Sequence, residues 1–312
     1  MKKFIILVLF CAVMFSGCSV GAPKNGEDGS DGKLNIVATL FPQYDFTREI
    51  VGDKANVTLL LPCGVDSHSF DPSISDVMKM DNADLLVYTG ENMETWAKTF
   101  IDASDGNCRI VDVSKDISLI VPGDDGEDGH EDEKENHNAD PHIWTSIENA
   151  EKIVRTICGA VCELDAENAQ FYKENAENYI DKLSSLDNDF KKCVENAVHK
   201  KIYVAGKFSL AYFVNEYGLS YLSLYDSCSE SSEPSPKRLN LMINEINENN
   251  IKVVFYPELS DTKIADSICE KTSACAKVFH SCHNLSKKDF EDGETYLSLM
   301  QKNLENLEEA LN

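Results

Sequence analysis

Positive charge is scarce in this chain. Its 29 Lys and Arg stand against 54 Asp and Glu, leaving a formal net charge of −25 over 312 residues. No basic stripe is present to neutralise phosphates, which excludes a nucleic-acid partner. The glycines sit singly, so there is no Gly-rich loop to cradle a nucleotide. Neither a Cys-x-x-Cys ribbon pair nor His-Glu-x-x-His occurs, which removes the compact structural and proteolytic zinc motifs. Long apolar runs are missing as well. The longest, residues 4–15, has 12 members and is too short to span a bilayer stably.

That short run is informative for another reason. Lys2 and Lys3 precede it, and Ser16-Gly17-Cys18 follows it. A basic start, an apolar centre and small residues before a cysteine describe an export signal over 1–17, with Cys18 as the lipidated residue. Residues 18–33 are rich in Gly, Asp and Ser without apolar periodicity, the composition of a flexible tether. Of eleven cysteines, Cys11 and Cys18 fall in these leading segments; the nine that remain cannot all pair internally.

The whole chain is 42% hydrophobic, and beyond residue 33 it alternates strand-like with helix-like segments. Strands are expected at 34–40, 57–61, 84–88 and 109–113, with helices at 42–51, 75–80 and 92–103 between them. A second set begins at 202–205 and continues through strands at 221–225, 252–256 and 274–279. Helices at 209–217, 236–247 and 262–271 separate these, and a last amphipathic helix carries Leu297 to Leu311. Such alternation implies parallel sheets with helices on their faces. Between the two sets, Tyr172, Ala176, Tyr179, Leu183, Leu186, Phe190, Val194 and Ala197 recur at steps of three and four, one stripe on a long helix.

The expected fold class is therefore α/β. Two lobes, 34–165 and 199–312, each with a mainly parallel sheet, are joined by a linking helix over 166–198. An acidic loop over 123–139 interrupts the first lobe; eight acids crowd residues 124–135, and His130 and His137 lie in or beside them.

The seven histidines are unevenly placed. His68 follows the second strand in LPCGVDSHSFDP, His142 follows the acidic loop in DPHIW, and His280 and His283 follow the last strand in FHSCHN. Ligands of open α/β sheets sit beyond the carboxyl ends of the strands, so two facing sheets would bring these imidazoles into one cleft. Imidazole suits zinc and other late transition metals, and zinc takes about four N, O or S donors.

LPCGVDSHSFDPS, DPHIW, YFVNEYGL and the downstream SEPSP resemble the metal-binding lipoproteins of zinc and manganese ABC importers, the ZnuA/TroA-like (cluster A-I) family. The resemblance implies a solute-binding subunit, not an enzyme, that captures Zn2+ as cargo, with Mn2+ or Fe2+ as the runner-up. It implies a monomer lipid-anchored at Cys18 on the extracytoplasmic face of the membrane, with an ABC permease and its ATPase as partners. His68 and His142 match the family's first two ligands. The third position, ten residues before Tyr217, falls on Lys207, which cannot coordinate a cation while protonated. The fourth falls in the HSCHN segment, so His283, with His280 as alternative, is expected to supply it. Cys282 is a candidate thiolate ligand or a candidate disulfide partner of Cys228. The acidic loop matches an insertion of zinc members, where His130 and His137 would recruit metal.

Two other classes compete with this reading. An exported zinc hydrolase needs a base beside the metal, and Glu258 is the one carboxylate that qualifies. A surface adhesin or scaffold with incidental metal needs neither.

Overall fold

The computed structural model describes residues 32–121 except 105 and 107, then 139–225 and 234–312. The export signal, Cys18, the tether, His130, His137 and Cys228 lie outside the described residues.

The first sheet contains β1 (Leu34–Ala38), β2 (Ala55–Leu59), β3 (Leu85–Tyr88) and β4 (Arg109–Asp112) in the order β2-β1-β3-β4. The second contains β5 (Lys201–Val204), β6 (Ser220–Ser223), β7 (Val253–Pro257) and β8 (Cys275–Phe279) in the order β6-β5-β7-β8. Every described pairing is parallel, and the two sheets share one strand order. The central strand β3 reads LLVY and is buried at all four positions, as a parallel strand covered on both faces must be.

Helices α1 (Phe41–Val51), α2 (Ile74–Asp81) and α3 (Ala97–Ala103) belong to the first sheet. Pro42 sits in the first turn of α1, where its missing N–H costs nothing. Helix α3 begins five residues later than the expected 92. The carboxylate of Glu94 accepts the N–H groups of Thr89 and Gly90, and Gly90 adopts φ 130°, so the chain is held in a turn before the helix starts.

Helices α4 (Ile147–Leu164) and α5 (Ala169–Glu195) follow, broken at Asp165, whose carboxylate accepts from Tyr172 Oη at 2.6 Å and from the Asn168 side chain. With 27 residues, α5 is about 40 Å long. Its stripe from Tyr172 to Val194 is buried, whereas Ala197 lies beyond the helix end. The second sheet carries α6 (Ala211–Tyr217), α7 (Pro236–Glu248), α8 (Lys263–Cys269), α9 (Lys287–Glu291) and α10 (Tyr296–Leu311). Gly218, left-handed at φ 64°, ends α6.

One apolar core serves both halves. It runs without interruption from Ile36 and Phe46 through Ile153 and Leu183 to Phe213, Phe255 and Leu307. Two smaller clusters lie on the outer faces, around Val254 and Met242 in the second sheet and around Leu86 and Phe100 in the first.

Candidate metal site

The site is built from loops at the carboxyl ends of both sheets. His68 and His142 are each preceded by an aspartate two residues earlier, and both aspartates do the same thing. Asp66 Oδ1 accepts the backbone N–H of His68 at 2.9 Å, and Asp140 Oδ1 accepts that of His142 at 2.8 Å. These Asx turns fix the two loops locally. Asp140 Oδ1 also lies 2.9 Å from His142 Nδ1. A carboxylate only accepts, so Nδ1 carries the proton and the lone pair is on Nε2, the arrangement a metal-binding imidazole requires. Burial would raise the Asp140 carboxyl, but the imidazoles of His142 and His68 and the hydrogen bonds from His142 hold it below its ordinary value.

His283 is oriented in the same manner from the second sheet. Its Nδ1 lies 2.6 Å from Ser281 Oγ and 3.0 Å from Glu258 Oε1. Glu258 also accepts from Ser281 N at 2.8 Å and from Ser281 Oγ at 2.6 Å. Burial alone would push the Glu258 carboxyl up; His280, His283 and Ser281 hold it well below the usual carboxylate range instead.

The His142 ring lies between the other two. The centroids of His68 and His142 are 5.3 Å apart, and those of His142 and His283 6.5 Å apart. All three line one cavity of about 270 Å3, together with Asp66, Lys207 and Glu258. Around it the two halves are stapled. Trp144 Nε1 donates to Ser281 O at 2.7 Å, Tyr296 Oη donates to Trp144 O at 2.6 Å, and Gly64 N donates to Leu285 O at 2.8 Å. The Asn284 amide donates to both Pro62 O, at 2.9 Å, and Val65 O, at 2.7 Å.

His280 stands apart from the cavity lining. Its Nδ1 accepts the Cys282 N–H at 2.9 Å, and its Nε2 is buried with no hydrogen-bond partner among the described residues. Burial lowers its basicity. Asn303 clamps its backbone, accepting from His280 N and donating to His280 O, each at 2.7 Å. Cys282 is a free, completely buried thiol outside the cavity lining, and burial pushes its ionisation well above the ordinary range. A thiolate ligand there is disfavoured by that burial.

Sequence reasoning passed over Asp66, Asp140, Ser281 and Asn284. The signal for the first two was present, since Asp66-Ser67-His68 and Asp140-Pro141-His142 repeat one D-x-H spacing. For Ser281 and Asn284 no periodicity or motif marks a partner.

Known proteins resemble the chain in sequence and fold. A family model described as "Zinc-uptake complex component A periplasmic" (ZnuA) matches residues 36–310. The high-affinity zinc uptake system protein ZnuA of Bacillus subtilis is 31% identical over 317 residues, covering 98% of this chain and 97% of that protein. The zinc-binding lipoprotein AdcA of Streptococcus pneumoniae is 32% identical over 99% of this chain, which spans only 61% of AdcA's length. The crystal structure of the Zn(II)-bound ZnuA-like domain of that AdcA superposes with a TM-score of 0.76 at 31% identity, over 90% of this chain and 99% of the domain. With two like-ordered parallel sheets, facing loops that carry imidazoles and a match over nearly the whole folded length, the chain belongs to the ZnuA family of zinc-uptake components.

Proposed function

We propose that this protein is the extracytoplasmic capture subunit of a zinc ABC importer, and that His68, His142 and His283 hold the Zn2+ cargo. The observation that carries the reading is the convergence of these imidazoles, from three loops, on one cavity, two of them with Nδ1 against a buried carboxylate. That pattern keeps the proton on Nδ1 and raises the donor strength of Nε2. Nitrogen donors favour zinc; manganese leans towards carboxylates, and the carboxylates here are engaged with imidazole Nδ1 atoms and backbone N–H groups.

The family's role is solute binding, and no reaction is needed to explain the site. The hydrolase reading loses its base. A general base works best near the operating pH, whereas Glu258 is held far below it with both oxygens occupied. Anchorage through Cys18, metal recruitment by His130 and His137, and delivery to a membrane permease with its ATPase complete the proposal. The leading sequence 1–18 and the relatives' roles in zinc uptake support these parts.

Metal analysis of the purified soluble chain, followed by competitive titration of Zn2+ against Mn2+, tests the reading. One tightly held Zn2+ per chain is expected. Stoichiometric binding that survives the combined His68→Ala and His142→Ala change would reject it.

A further inference from the structure

Lys207 is an odd companion for three imidazoles, and the backbone around it leaves little freedom to move it away. It follows Gly206, where a Cβ would approach Pro257 Cδ to 2.5 Å, so the loop is pressed against the end of β7. Gly206 O accepts from Ser223 Oγ at 2.9 Å. On the other side, Phe208 is buried and stacked on Tyr221, with centroids 3.7 Å apart and planes 7° from parallel. The lysine is thus presented to the cavity by a pinned segment. No ion pair or hydrogen bond engages its ammonium among the described residues.

An ammonium cannot ligate, and beside a dication it is repelled. The three imidazoles are neutral donors, so they leave a fourth tetrahedral position of zinc open. Glu258 does not fill it, because both its oxygens are engaged by His283 Nδ1 and Ser281, while Asp140 and Asp66 are tied through Oδ1 to His142 and to the His68 N–H. A single anion placed between cation and ammonium answers both problems, completing the coordination and accepting a charge-assisted hydrogen bond. Space is available as well: the cavity holds about 270 Å3, against about 30 Å3 for one water.

We infer that the site takes its metal together with a small exogenous carboxylate, which fills the fourth position and is held by Lys207. This rests on the metal reading given above. Lys207 then acts as a specificity residue, selecting an anionic co-ligand of the cation rather than touching the cation itself.

Cobalt substitution tests this, because the visible absorption of Co2+ reports its ligands. The purified chain is loaded with Co2+ in carboxylate-free perchlorate buffer and titrated with acetate. A saturable change in the spectrum is expected in the wild type. Lys207→Met should weaken acetate at least about tenfold, the weight of one charge-assisted hydrogen bond. Lys207→Arg should retain most of the response, and Lys207→His, which supplies a fourth donor, should remove it. Bound Co2+ whose spectrum ignores acetate, or an equal response in wild type and Lys207→Met, overturns the co-ligand. Failure of the wild type to take up Co2+ at all defeats the metal site beneath it.

Discussion

The side-chain amide of Asn284 donates to the carbonyl oxygen of Val65 at 2.7 Å, joining positions 219 residues apart. A second bond from the same nitrogen, to Pro62 O, ties the loop preceding His68 to the turn that carries His283. The loops that carry the proposed ligands His68 and His283 therefore share one local scaffold. Asn284→Ala leaves two carbonyls without their donor and should cost about 2–3 kcal/mol of stability. Urea denaturation measures the loss, and zinc affinity should fall with it; unchanged affinity would mean that the staple does not position the rings.

Removing the imidazoles from the first sheet attacks the site directly. The His68→Ala, His142→Ala double variant should lose at least about a thousandfold in zinc affinity, at about 1.4 kcal/mol per tenfold. It should also lose the rise in melting temperature that excess Zn2+ confers on the wild type, which follows from ligand linkage. Scanning calorimetry with and without Zn2+ reads this. A melting shift equal to that of the wild type would exclude these residues as ligands.

Glu258 stands behind His283, its Oε1 3.0 Å from the imidazole Nδ1. Glu258→Gln keeps the volume but removes the charge facing His283 Nδ1. Affinity should drop about 10–100-fold, as for other groups that orient a ligating imidazole. Competition against a chromophoric chelator gives the number. Affinity within twofold of wild type would show Ser281 to be sufficient alone.

Asp45 sets a pH dependence away from the metal. Its Oδ2 accepts the N–H of Tyr296 at the start of α10, while its Oδ1 is buried with no partner among the described residues. Burial pushes its carboxyl up from 3.8 to about 6, against the Tyr296 N–H and Arg48, with Glu49, Tyr179 and Cys282 nearby. A raised carboxyl binds its proton more tightly in the folded state. Its contribution is therefore complete below about pH 4 and is lost as pH rises through about 6. The loss amounts to about 3 kcal/mol, with the opposing effect of the Tyr296 N–H already included. Asp45→Asn should flatten the fall in stability between pH 4 and 7. Denaturation series at stepped pH check this, and an unchanged slope would assign the fall to other groups.

Much of the architecture could be read in the chain because it is periodic. The steps of three and four from Tyr172 to Val194 mark α5, and alternating apolar runs mark all eight strands of the described sheets. Boundaries were harder. Helix α3 starts late because the Glu94 side chain captures backbone N–H groups, a local contact that apolar spacing does not register. Around the cavity, the histidines were conspicuous by type and by their place after strands. The supporting role of Glu258 and the part of Asn284 were not, since they rest on contacts across 25 residues, to His283, and 219 residues, to Val65. Distances of that kind follow from the tertiary fold, and no repeat in the chain encodes them. The separation of His280 from the cavity is of the same origin: its Nδ1 is used by the Cys282 N–H in a tight turn where Cys282 itself adopts φ 62°.

The shared core has a mechanical consequence. Side chains on α5 are common property of both sheets, so neither sheet can swing as a rigid leaf without tearing Leu183 or Phe190 from neighbours on one side. Interiors packed at crystalline density resist such shear. At the proposed site, loading and unloading of a cation would then fall to the rim segments that carry His68 and Leu259. Heat must dismantle both halves in a single event, because they share that core.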